Sequence, residues 1–305
     1  MKLWMVYNLH DYNINSTYYD MHVSKGKKYN MDIQLIIVEY LSFGVKNNKL
    51  YIEYDNNPIS LPDGVIMRSR YSLLSKQLEM MGIQVFNNSY VCDICNDKAK
   101  TYQLLASRGI DIVDSEFLLG DKLEYMVRSS INSDNNDNLC NMNSKVIKTT
   151  NGHGGKEVYM AKDYLSNSLY KEDDFCSKDM VLQPLIKGDN KDLRVYILDN
   201  KIIGSVLRTG KESFKSNYSL GGYVELYTLN RKEEEIVNNI IELFNVETPN
   251  YPVKGIFYGG IDFIIDTDGK LLFNEIEDVV GSRMLYNTSD IDIVEEYLKC
   301  ILKRY

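Results

Sequence analysis

The stretch "GGIDFIIDTDGKLLFNEIED", residues 259–278, constrains the fold more than any other. Two alternating apolar runs flank Asp268-Gly269, a pair suited to the positive φ angles of a tight hairpin. With those two as the central residues of the turn, Thr267 faces Lys270 and Asp262 lies opposite Glu275. Glu277 follows two residues on, on the same face. Three carboxylates then converge among apolar residues, and like charges set opposite one another destabilise a sheet unless something neutralises them. A hard divalent cation with oxygen ligands would do so, since Mg²⁺ combines carboxylates with substrate phosphates. The competing expectation is a solvated face whose charges water keeps apart. A one-residue change in the turn would send Asp262 and Glu275 to opposite faces.

The rest of the chain supplies the frame. Its 305 residues suit one large domain or two to three small ones, and 44% apolar content is enough for a packed core. Apolar runs at 2–7, 33–40, 63–70 and 85–88 read as strands. Helical spacing over 72–83, with Gly82 near its stop, separates the last two, so the first 90 residues imply a parallel α/β unit. A helix over 95–110 follows, with Asn96 as the expected N-cap and Gly109 at its end. Residues 131–144 are polar and Asn-rich, a surface loop. From 181 on, strand patterns dominate, interrupted and closed by helices near 231–245 and 290–303.

Several classes of protein are disfavoured. There is no run of about 18 uncharged apolar residues for a membrane span, and the start "MKLWMVYNLHDYN" lacks a cleavable signal pattern. A net charge of −8 without a basic stripe argues against nucleic-acid binding. Five cysteines, an odd number, read as reduced cytosolic thiols, and Cys92-x-x-Cys95 lacks the second pair or histidine of a zinc site.

"KVIKTTNGHGGKEVYMA", 145–161, sets Lys148 on a strand just before a loop of three glycines. Such a loop is either a generous hairpin turn or a backbone left bare for a ligand. Lys148 could point a charge at phosphates, and a metal-carboxylate patch elsewhere would complete what a nucleotide triphosphate requires. His153 within the loop is expected to be exposed and outside catalysis. Arg68 and Arg70 follow a strand end, where α/β sheets bind ligands.

In this order of parts the chain resembles the ATP-grasp superfamily, and within it the RimK-type ligases. Lys98 at a helix start, Lys148 before "NGHGG" and the late acidic triad carry the likeness. So do "RSRYSLLSKQLEMMGIQVFNNS…NDKAKTYQLLASRGI" (68–110), "KDLRVYILDNKIIGSVLR…FKSNYSLGG" (191–222) and the "D…NEIE" hairpin. The resemblance runs from about residue 65 to the end. It implies an α/β (α+β) ATP-grasp fold in three parts: a Rossmann-like pre-ATP-grasp domain (1–90), a central subdomain with the glycine lid (91–186), and a C-terminal mixed β subdomain with the metal site (187–305). It implies ATP and Mg²⁺ as cofactors, two ions with Mn²⁺ as a substitute, and ligation of a carboxylate to an amine through an acylphosphate. Lys98 and Lys148 would contact phosphates beneath the lid backbone of Gly154 and Gly155. Gln183, Pro184, Leu185 and Ile186 would form the adenine hinge, with Asp189 nearby. Asp262, Glu275 and Glu277 would hold metal, while Arg208, Lys215 and Asn217 would stabilise the transferring group. Arg194 would bind substrate anions beside them; Arg68 and Arg70, from their place at a strand end, and Arg283, which the family pattern does not contain, are further candidates to meet substrate anions. Partners would be small-molecule or peptide carboxylates and amines, and self-association is compatible with all of this.

The chain departs from the family pattern in places. Glu277 stands where the last metal ligand is usually asparagine, Lys215 where arginine precedes "SN", and Pro184 where the hinge has glutamate. "EDVVGSRMLY" replaces the small-residue segment after the triad. These changes point to a divergent substrate. They also keep open an ATP-binding regulatory module or a phosphotransferase on the same fold.

Overall fold

In a computed structural model, residues 1–122, 125–126, 142–153, 157–165, 178–186, 190–210, 223–246 and 254–305 are described. The first part alternates strand and helix as expected. β1 (Lys2–Tyr7) leads through α1 (Leu9–Gly26) to β2 (Asp32–Ile37). An antiparallel ribbon absent from the sequence reading follows: β3 (Leu41–Lys46), β4 (Lys49–Tyr54) and β5 (Asn57–Pro58). Then come β6 (Gly64–Met67), α2 (Ser72–Met80) and β7 (Gln84–Phe86). The parallel sheet runs β2-β1-β6-β7. β1 is central and buried on both faces. Trp4 and Val6 pack against α2, and Leu3, Met5 and Tyr7 join the opposite core.

The expected helix over 95–110 is two helices, α3 (Ser89–Cys95) and α4 (Lys98–Ala106). Asn96 follows the first, and Asp97 caps the second by accepting from Lys100 N at 3.1 Å. The break occurs because Lys98 N is drawn to Thr150 O, 2.8 Å away, so the backbone there serves a tertiary contact. Gly109 ends the run with φ +69°. A central antiparallel sheet follows, with β8 (Glu116–Leu118), β9 (Lys145–Thr149), β10 (Val158–Met160), α5 (Ala161–Leu165) and β11 (Met180–Pro184), in the order β10-β9-β11-β8. Most of the expected Asn-rich loop lies outside the described residues.

The C-terminal sheet has the order β14-β13-β12-β15-β16, all antiparallel: β12 (Lys191–Leu198), β13 (Lys201–Thr209), β14 (Tyr223–Tyr227), β15 (Tyr258–Ile265) and β16 (Leu271–Glu277). Strand alternation sorts its two faces. Leu193, Val195, Ile261, Phe263 and Phe273 point into a core with α6 (Arg231–Glu242) and α4. Asp192, Arg194, Asp262 and Glu275 take the other face. Finally α7 (Arg283–Thr288) and α8 (Ile293–Leu302) return to the first sheet, where Tyr297, Leu298 and Ile301 pack with Leu3, Met5 and Phe86. The buried Asn87 side chain staples this junction. Its Oδ1 accepts from Phe257 N (2.6 Å) and Tyr258 N (2.9 Å), and its Nδ2 donates to Tyr258 O (2.6 Å) and Asp278 O (3.1 Å).

Candidate active site

Between the central and C-terminal sheets lies a cavity of about 1150 Å³, its open mouth included. Val113, Val146, Val158, Ile264 and Ile265 give it an apolar end, with Gln183, Pro184, Leu185 and Ile186 along one wall. Lys98, Lys148, Arg208, Asp262 and Glu275 line the polar part. Sequence reasoning assigned all of these polar residues and the 183–186 wall to one site, and the fold brings them together.

The two lysines are held differently. Lys148 projects from β9 and is 5% exposed, with no carboxylate at ion-pair distance among the described residues. Its Nζ donates to Asn274 Oδ1 at 3.1 Å and lies 5.4 Å from the centre of the Tyr102 ring. Burial depresses its pKa to about 8, with Glu275 opposing. Lys98 opens α4, donates to Gly152 O and sits 3.4 Å from Glu275. Gly152 is glycine for packing reasons, since a Cβ there would lie 2.2 Å from Thr149 Oγ1 and 2.8 Å from Glu157 Oε2. That answers for one of the three loop glycines; Gly154 and Gly155 lie outside the described residues. His153 lines the cavity half-buried rather than exposed, and burial, with Arg70 and Lys98 near, lowers its pKa to about 4.

The hairpin places Asp262 opposite Glu275 by a different route from the expected one. The turn has three residues, not two: Ile265 pairs with Leu271, Asp266 N donates to Lys270 O, and Gly269 takes φ +77°. A bulge at Asn274 then shifts the register back by one residue between Phe263 and Asp262. The bulged Asn274 was not anticipated. It lines the cavity, holds Lys148 through its side chain, and accepts the Tyr102 hydroxyl on its carbonyl at 2.7 Å.

The expected nest of three carboxylates is not formed: among the described residues no group of three acidic, histidine or cysteine side chains is gathered to hold a metal ion. The cause is the neighbouring strands. Arg194, paired with Asp262 across β12 and β15, donates Nε to Oδ1 at 2.7 Å and Nη2 to Oδ2 at 2.6 Å. Arg208 adds Nη2 to Oδ2 at 2.9 Å and also bonds Asp192. Burial raises the pKa of Asp262, but the two guanidinium groups outweigh it and hold it at about 2. Burial raises Asp192 to about 6 against the pull of Arg208. Gly260 is bare because a Cβ would meet Val280 at 2.9 Å. Glu275 and Glu277 remain partly open, with side chains 27% and 24% exposed. Glu277 faces Arg194 at 3.2 Å and Arg70 at 3.6 Å.

Of the remaining expected residues, Arg70 sits by Asp11 and Glu277, Arg68 is buried at the end of β6, and Arg283 is exposed at the start of α7, away from the cavity. Lys215, Asn217 and Asp189 lie outside the described residues. Among the described residues no helix is long and apolar enough to cross a membrane.

A parallel first sheet, a small antiparallel central sheet and a larger C-terminal sheet enclosing a lysine-bearing cavity make up the ATP-grasp fold. A family model, the RimK-like ATP-grasp domain, matches residues 95–301. The chain belongs to that family. The uncharacterized protein MG012 homolog of Mycoplasma pneumoniae is 24% identical over 282 residues, spanning 89% of each chain. A probable alpha-L-glutamate ligase of a Marinomonas species is 23% identical over 295 residues, 92% of this chain and 90% of that one. The structure of the ATP-grasp ligase PsnB complexed with minimal precursor, Mg and ADP has a TM-score of 0.64 at 14% identity, covering 99% of this chain and 96% of that one.

Proposed function

We propose that this chain joins a carboxylate to an amine at the expense of ATP. A substrate carboxylate oxygen takes the γ-phosphoryl group, ADP leaves, and the amine attacks the acylphosphate carbon. The C–O bond to phosphate breaks, the amine loses a proton, and an amide remains. The observation that carries this reading is Lys148: a buried amine with no carboxylate partner among the described residues, at the polar end of an apolar slot. Burying a lone ammonium is costly, and an anion placed beside it removes the cost. Lys98 would meet the same phosphates. Apolar Val146, Leu185 and Ile264 suit an adenine ring, and Arg208 at the inner wall suits charge developing on phosphoryl or acyl oxygens.

Mg²⁺ would be held by Glu275, Glu277 and the nucleotide's phosphates, and when bound it neutralises phosphate charge. A second ion would need Asp262 released from its arginines; Mn²⁺ would use the same oxygens. The acid and the amine are proposed to be small molecules or peptides.

The double ion pair of Asp262 favours one other reading, an ATP-binding module without turnover. Calorimetry with ATP, with and without Mg²⁺, on wild type and Glu275→Gln, followed by ADP release with acid and amine pools, tests these two readings and a phosphotransferase as the third. Mg²⁺-dependent binding that weakens in the variant, with ADP release requiring an amine, supports the ligase. ADP release with an acid alone marks a phosphotransferase, and tight binding without release under any pool marks the module. No nucleotide binding sinks all three.

A further inference from the structure

The first sheet reverses direction at β1. The chain leaves β1 on one side for β2 and returns on the other for β6. Ligands of open parallel sheets bind beyond the carboxyl ends of the strands at such a reversal. At this point Tyr7 ends β1 and Arg68 follows β6.

Arg68 is 7% exposed and has no carboxylate at ion-pair distance among the described residues. The other two buried arginines there, Arg194 and Arg208, both lie on Asp262. The Nη2 of Arg68 donates to the carbonyls of Val280 (3.1 Å) and Val279 (3.4 Å), and the guanidinium lies 5.1 Å from the centre of the Tyr18 ring. Its Nε and the Tyr7 hydroxyl are both buried, and apart from the interaction of Tyr7 with Arg68 itself neither has a hydrogen-bond partner. Three neutral groups lie close by, and the buried Asp278 carboxyl feels the charge of Arg68 from beyond ion-pair distance. Ser282 Oγ lies 3.3 Å from the Tyr18 hydroxyl, and buried His22 bonds Tyr18 O through Nδ1 and stays uncharged. Beside Ser282, Gly281 is exposed and faces open space.

A desolvated cation with unused donors wants an anion. The nearest amide cradle for a phosphate, the amino end of α1, is already taken: Leu9 N donates to both oxygens of Glu39, at 2.9 and 3.1 Å. One planar guanidinium among phenols matches a monoanionic carboxylate better than a dianionic phosphate. The carbonyls that hold Arg68 come two and three residues after Glu277, on the strand end that also carries the cavity-lining Glu275. We infer that Arg68 and Tyr7 form a subsite for a carboxylate that is not consumed in the reaction. It belongs either to the amine substrate or to a second acid group on the carboxylate substrate. This rests on the ligase reading above.

The test is ADP release with Mg-ATP in wild type, Arg68→Gln, Arg68→Lys and Tyr7→Phe. The probes are pools of common L-amino acids, their carboxamides, short dicarboxylic acids, and the monoamides of those acids, with nucleotide affinity measured in parallel. The expected result is stimulation by an acid-bearing pool and not by its amide counterpart. The half-saturating concentration should rise about tenfold to a hundredfold in the variants, at unchanged nucleotide affinity. The pool that responds identifies which substrate owns the carboxylate. Should Arg68→Gln not fold, Arg68→Lys and Tyr7→Phe carry the test. Equal response to amides, an unaltered Arg68→Lys, or a wild type that binds Mg-ATP but answers no pool would overturn the subsite. A wild type that binds no nucleotide would overturn the ligase reading, and the subsite with it.

Discussion

Replacing Lys148 by methionine should stabilise the ligand-free protein while abolishing its response to ATP. The depression of the Lys148 pKa from 10.5 to about 8 corresponds to roughly 3 kcal/mol for carrying a buried charge. Methionine keeps the length of the side chain and removes the charge. The variant loses the bond to Asn274 and the ring contact with Tyr102, about 1 kcal/mol each. A gain of about 1 kcal/mol at pH 7 remains, about 2 °C in Tm for a chain of this size. The pH dependence is a stricter check. An amine whose folded pKa is lowered destabilises fully below about pH 8, and the cost fades as pH rises toward 10.5, where the unfolded amine also loses its proton. The advantage of the variant should therefore vanish between pH 8 and 10.5, while wild-type ATP affinity falls up to about tenfold per pH unit over the same window. Urea unfolding at pH 7, 8, 9 and 10, with and without Mg-ATP, measures both. A variant less stable than wild type at pH 7, or a difference that ignores pH, would refute the reasoning.

Asp262→Asn leaves Arg194 and Arg208 buried without their shared anion and should cost about 3–5 kcal/mol in urea unfolding. Because Asp262 is held at about 2, its contribution is present above its ordinary value of 3.8 and lost as pH falls through about 2, so the variant should show a flatter acid limb. Asn87→Ala orphans four buried backbone groups and should destabilise by about 3 kcal/mol or more, read as a drop in Tm without any change in Mg-ATP affinity measured well below it. Burial pushes the Cys92 and Cys95 thiols well up, so in native protein both should escape a thiol reagent that modifies them after unfolding; cleavage mapping of the labelled peptides decides.

What could be read from the sequence were features whose cause is local. Alternation assigned the two faces of β15 and β16, and "DG" marked the hairpin. The facing of Asp262 and Glu275 was reached through two offsetting differences, a turn one residue longer and a bulge at Asn274, and turn chemistry alone cannot reveal the second. α1 gave no signal because "LHDYNINSTYYDMHVSKG" has no apolar stripe. It is held instead by tyrosines packed on the first core and by ion pairs to α8 through Lys25. Asn96 and Asp97 are both good caps, and a bond from Lys98 N to a loop fifty residues away chose between them.

The arginines that crowd the expected metal site escaped the sequence for the same reason. Spacing along the hairpin counts acids, but charge on a sheet is set by its neighbours across strands. The arginines that occupy Asp262 come from β12 and β13, 68 and 54 residues away in sequence. Asp192, Arg194, Arg208, Asp262, Glu275 and Glu277 share one surface on which cations and carboxylates face each other across strands. Arg194 and Arg208 can turn fully to an incoming anion by giving up Asp262, and Asp262 is freed for a cation as they leave it. Anion and metal would therefore bind with positive coupling at this face, each releasing what the other needs. Measuring Mg²⁺ affinity with and without a non-hydrolysable ATP analogue would expose that coupling. In Arg194→Met, where Asp262 keeps a single arginine, the coupling should shrink; a coupling unchanged by that substitution would show that the ion pairs do not govern it.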